Sequence, residues 1–85
     1  MLAALRAALA RSEGADALDA ALVEHHGAGQ PALMCALHRL AADYWRDDPA
    51  QRAFHRTHAY VFALEAGLEA EADELHAALA AEGQI

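Results

Sequence analysis

The sequence predicts an all-α protein, and three observations predict it. Of the 85 residues, 25 are Ala and twelve are Leu, the two strongest helix formers. Only Val23, Thr57, Val61 and Ile85 are β-branched, too few for ordinary strands. The apolar residues also recur at helical spacing between clear stop signals, which outline four helices at about 2–11, 16–26, 31–46 and 49–82. A chain of this length has room for one domain, 1–85, with one modest core and a large share of its residues at the surface.

The first run, at about 2–11, carries Leu2, Leu5 and Leu9 on one stripe, and Gly14 supplies its break. The second starts near Asp16, which can cap it, and aligns Leu18, Leu22 and His25. Gly27-Ala28-Gly29-Gln30-Pro31 is the clearest punctuation in the chain, with a glycine after one helix and a proline in the first turn of the next. In the third run Leu33, Leu37, Leu40 and Tyr44 form one stripe, and Met34, Ala41 and Trp45 form another beside it. An apolar arc this wide suits a helix that touches two neighbours, at the centre of the fold.

Asp48 and Pro49 read as the cap and first residue of the fourth helix. From there the pattern runs on to Gly83. Phe54, Val61, Leu68 and Leu75 recur every seven residues, flanked by Leu64, Ala72 and Leu79. Gly67 lies inside this run, yet the phase passes through it unchanged, which favours one long helix over 49–82; a break at Gly67 would give five helices instead. One helix of that length spans about 51 Å, whereas a domain of this size should be roughly 30 Å across. Its C-terminal part would overhang. Leu68, Leu75 and Leu79 would then need a partner helix, so 68–85 is expected to serve oligomerisation, with Phe54, Val61, Leu64, Leu68, Leu75 and Leu79 as the interface.

The net charge is −7, and all six basic residues are Arg. No basic residue follows Arg56, while Glu65, Glu69, Glu71, Asp73, Glu74 and Glu82 are all acidic. That surface repels phosphate backbones, which argues against nucleic acid, and it suits a basic protein partner. No apolar run approaches the roughly 20 residues that span a bilayer. The single Cys35 excludes an internal disulfide and fits a reducing, cytoplasmic setting.

Histidine is the residue type in excess, at positions 25, 26, 38, 55, 58 and 76. On one long helix His58, Glu65, Glu69 and His76 share a stripe, with His55 and Asp73 at its margin. Imidazole and carboxylate on one face are what a Zn or Fe site requires, and Asp73 to His76 has the acid-x-x-His spacing of di-iron bundles. Against this, the second copy of that spacing is missing. His58 and His76 would also lie about 27 Å apart on one helix, too far to share a metal. The stripe is therefore read first as the polar border of an interface and second as a metal site. His25 and His26 suit the end of their helix, and His38 is expected to pack, partly buried, beside Trp45. Cys35 is expected to be inert and semi-buried. Arg39, Arg46, Arg52 and Arg56 are expected to pair within their helices with Asp43 and Asp48.

No catalytic motif, phosphate loop or triad spacing is present, so an enzyme is not expected. The expected function is that of a small helical interaction protein acting as a homo-oligomer. The alternative is a His/carboxylate metal-binding or metal-sensing protein.

Overall fold

Four helices occupy residues 14–26 and 29–85, the part of the chain that the computed structural model describes: α1 (Gly14–His25), α2 (Pro31–Tyr44), α3 (Pro49–Ala66) and α4 (Glu69–Ala81). No strand occurs among these residues, and the all-α class stands as expected. The helix expected at about 2–11 lies outside the described residues. Gly14 is helical and buried at the start of α1, and the break expected between it and the first run lies outside the described residues. Pro31 opens α2 as expected, and the helix ends at Tyr44, two residues short of the expected Arg46. Asp48 caps α3: its carboxylate accepts from the Gln51 N–H at 3.2 Å, with Pro49 in the first turn.

The long helix over 49–82 is the expectation that fails. Gly67 has φ 70° and ψ 25°, the left-handed conformation that L side chains avoid. Two hydrogen bonds close the helix end around it. Leu68 N–H donates to Ala63 O at 2.9 Å and Gly67 N–H to Leu64 O at 3.2 Å, the pair that defines a Schellman cap. The apolar residue after the glycine completes that cap, and Leu68 packs against a cluster that contains Ala63. Glu69 and Glu71 then stand in the first turn of α4, where carboxylates oppose the positive end of the helix dipole. A helix of about 51 Å would not fit a molecule whose longest extent is 32 Å.

The seven-residue recurrence survives the break but changes meaning. Leu75 and Leu79 turn back into their own chain and are 5% and 2% exposed, whereas Phe54 and Val61 face outward. Residues 68–85 therefore do not form an overhanging oligomerisation helix. Cys35 from α2, Ala59 and Ala63 from α3, and Ala72 and Leu75 from α4 make one core cluster. Leu18 from α1 with Met34, Leu37 and Ala41 from α2 makes the other, with Phe62 packed against it. α2 belongs to both, as its wide apolar arc implies. Its closest packing is against α3, where Ala59 and Ala63 are fully buried and bring the backbones together.

Folding α4 back also redirects the charges. Arg39 pairs with Glu71 at 3.4 Å and Glu74 at 3.0 Å; Arg52 pairs with Glu82 at 2.8 Å, and Arg56 pairs with the same carboxylate. The expected pairing with Asp43 and Asp48 gives way to pairing across helices. Three of the six C-terminal acids are thereby neutralised within the chain, which weakens the case for a basic partner.

Nothing lies within 4 Å of a Cβ placed on Gly67, so a substitution there meets conformational cost and no clash. Gly67→Ala should lower stability by about 1 kcal/mol in urea denaturation, and Gly67→Asn by roughly half as much, since Asn tolerates this conformation better. Equal losses would point to something other than backbone conformation.

Candidate functional site

His55 and His58 lie one turn apart on α3, and the close α2–α3 packing brings His38 against both. Ring centroids are 5.3 Å apart for His38 and His55 and 5.0 Å for His38 and His58. Phe62 stacks on His38 at 5.7 Å and 11°, and Phe54 lies 4.3 Å from His58. His38 and His55 are almost fully buried, at 6% and 7% exposure. Their Nδ1 atoms face each other at 3.1 Å, a hydrogen bond in which one ring must donate and the other accept. The donor ring keeps a bare Nε2 and the acceptor ring carries Nε2–H. His58 Nδ1 sits 2.9 Å from Phe54 O. A carbonyl only accepts, so this nitrogen carries the proton and the neutral ring has its lone pair on Nε2.

Burial sets the proton affinity of this trio. Desolvation, followed by repulsion from His58, His55 and His26, lowers His38 from 6.5 to about 4. His55 is lowered as well, by desolvation and then by His58. Two facing imidazoles cannot both be charged at 3 Å without a counter-ion, and no carboxylate contacts this pair among the described residues.

The trio borders a cavity of about 580 Å³ between α1, α2 and α3. α1 contributes Leu18 and Leu22, α2 contributes Met34 and Ala41, and Trp45, Phe54 and Phe62 supply rings. His26, Asp19 and Gln51 line it from exposed positions. A second hollow of about 410 Å³ lies against the outer face of α3, between Pro49, Ala53, Phe54, Thr57 and Gln84. Phe54 and His58 border both.

The metal set read from the sequence does not assemble. His55 is buried against His38, while Glu65, Glu69, Asp73 and His76 are exposed, and Gly67 divides them between two helices. His76 lies beside Tyr60, with ring centroids 5.8 Å apart. Among the described residues no group of three or more His, Cys, Asp or Glu side chains is placed to hold a metal ion. The interface set divides too. Leu68 is half-buried and Leu75 and Leu79 are core, leaving Phe54, Val61 and Leu64 at 53%, 47% and 57% exposure. Cys35 is fully buried, not semi-buried, and its thiol meets Glu71 at 3.4 Å. Burial, then that carboxylate, pushes the thiol up to about 11, so it is no nucleophile at neutral pH.

Compared with known proteins, the chain matches no family model, no curated protein and no solved structure.

His38 was read from the sequence as partly buried packing, and its meeting with His55 was missed. A signal was present. His38 falls in phase with Met34, Ala41 and Trp45, and His55 with Ala59 and Phe62, so each lies on an inward face.

His38 titrates near 6.5 when unfolded and near 4 when folded, so the unfolded chain takes up its proton first. Stability is fully present above pH 6.5 and is lost as pH falls towards 4. The expected loss between pH 7 and 5 is about 2 kcal/mol at most, read from urea midpoints. His38→Phe should flatten most of that slope. An unchanged slope in the variant would remove His38 as its cause.

Proposed function

We propose that the chain is a small helical interaction module that pairs with a second copy of itself through the outer face of α3. The observation that carries this reading is the stripe Phe54, Thr57, Val61 and Leu64. It follows the three-and-four spacing of a helix–helix seam, and its three large apolar members are each about half exposed. Single exposed apolar residues are ordinary on a protein surface; three on one helix face suit a contact.

A second copy fits because the stripe is complementary to itself in shape. The stripe has a hollow at one end, beside Phe54 and Thr57, and a projecting leucine, Leu64, at the other. A two-fold axis across α3 sets two such helices antiparallel and brings Leu64 of each copy to the hollow of the other, a self-complementary arrangement. The seam is short, about 15 Å from Phe54 to Leu64, so micromolar affinity is expected rather than nanomolar.

Two substitutions separate this reading from the overhanging-helix expectation. Val61→Glu should weaken dimerisation roughly 100-fold or more in sedimentation equilibrium, with helix content unchanged, because the charge enters only the seam. Leu75→Glu should instead unfold the chain, losing about 3 kcal/mol or more, because it places a charge in the core. A dimer that survives Val61→Glu, or a wild-type chain that stays monomeric at hundreds of micromolar, would refute pairing through α3.

A further inference from the structure

The polar groups around the cavity between α1, α2 and α3 restrict what it can hold. None of the described residues that line it is Lys or Arg, so they offer no fixed cation to hold an anion. Most of the lining is hydrocarbon and rings, and the cavity volume of about 580 Å³ falls within the usual range of small-molecule sites. Its buried polar groups are the imidazoles of His38 and His55, in contact with half-buried His58. Among the described residues no fully buried side-chain nitrogen or oxygen lacks a partner. The Nε2 atoms of His38 and His55 make no hydrogen bond there, since each ring's contact is through Nδ1. Both rings line the cavity, and Nε2 is the atom of each that is not engaged in their mutual contact.

The three rings together offer both a donor and acceptors. Whichever way the His38–His55 proton lies, one of that pair presents a bare Nε2 and the other an Nε2–H, and His58, whose Nδ1 meets Phe54 O, adds its own Nε2. A hydroxyl both donates and accepts, and satisfies such a set. A carboxylate only accepts, and would need a charged imidazole that burial of His38 and His55 opposes.

We propose that this cavity binds a small, neutral, planar apolar molecule carrying one hydroxyl, of the phenol class, with the hydroxyl on the histidine trio and the ring against Trp45 and Phe62. This site shares Phe54 with the α3 seam, but Val61 and Leu64 do not line it.

Trp45 is the only tryptophan in the chain and lines the cavity, so its fluorescence follows occupancy. The full chain at pH 7.5 is titrated with three probes that differ in one group: 4-ethylphenol, ethylbenzene and 4-ethylbenzoate. 4-Ethylphenol should give a saturable change, at least about tenfold tighter than ethylbenzene, because the hydrocarbon leaves buried polar groups unmatched. 4-Ethylbenzoate should give none. His58→Phe keeps a ring against Phe54 and removes the lone pair; it should weaken 4-ethylphenol severalfold towards ethylbenzene and leave ethylbenzene unchanged. Ala15→Phe, at a half-buried lining position, should abolish binding of both while circular dichroism shows the helices intact. Binding of 4-ethylphenol should persist in Val61→Glu, which keeps this test separate from that of dimerisation. Equal affinity for 4-ethylphenol and ethylbenzene, tighter binding of 4-ethylbenzoate, or no saturable change with 4-ethylphenol would each overturn the proposal.

Discussion

One backbone conformation governs most of this structure: the left-handed turn at Gly67. A residue with a Cβ loses about 1–2 kcal/mol there, and glycine does not. The turn ends α3, satisfies its last carbonyls through the Gly67 and Leu68 amides, and sends α4 back along its own chain. Leu75 and Leu79 are then buried, at about 1.5–3 kcal/mol each. Glu71, Glu74 and Glu82 reach Arg39, Arg52 and Arg56 only because of that reversal. The side of α3 that α4 leaves open is the side that carries Phe54, Val61 and Leu64.

The second organising feature is a polar cluster in an apolar place. His38, His55 and His58 meet because α2 and α3 are held close by Ala59 and Ala63. Side chains of one methyl each let the backbones approach, and the larger rings then fill what remains at one end of the interface. Burial keeps His38 neutral, so a group that would be half-charged just below neutral pH in water serves instead as a fixed hydrogen-bonding element. The same desolvation links the stability of the fold to pH and sets the chemistry of the cavity. The first consequence rests on the burial of His38, the second also on the 3.1 Å contact that fixes which imidazole nitrogens are engaged.

Composition alone gave the helical class, and the Asp48-Pro49 and Gln30-Pro31 signals placed two helix starts. Gly67 was weighed against an unbroken seven-residue phase, and the phase carried the wrong weight. Phase reports which residues would share a face if the helix continued; it carries no information on whether it does. The local sequence Gly67-Leu68-Glu69-Ala70-Glu71 held the better signal, a glycine followed by an apolar residue and then an acidic first turn. The metal reading leaned on the same continuous helix, on which His58, Glu65, Glu69 and His76 share a stripe with His55 and Asp73 at its margin, and Gly67 divides that set between two helices. The His38–His55 contact depends on how two helices cross, which no single-helix projection contains. What a sequence could reveal was that each histidine lay on an inward face.

The direction of α4 is the claim on which the rest depends, and a distance measures it. Spin labels on cysteines introduced at the exposed positions Ala50 and Ala80, with native Cys35 replaced by Ala, report the separation of the two ends by pulsed electron resonance. A continuous helix would hold those positions about 45 Å apart. Reversal at Gly67 brings them within the 32 Å that bounds the molecule. A dominant separation well below 32 Å, unchanged on dilution to the monomer, is the predicted result; a peak near 45 Å would contradict the account.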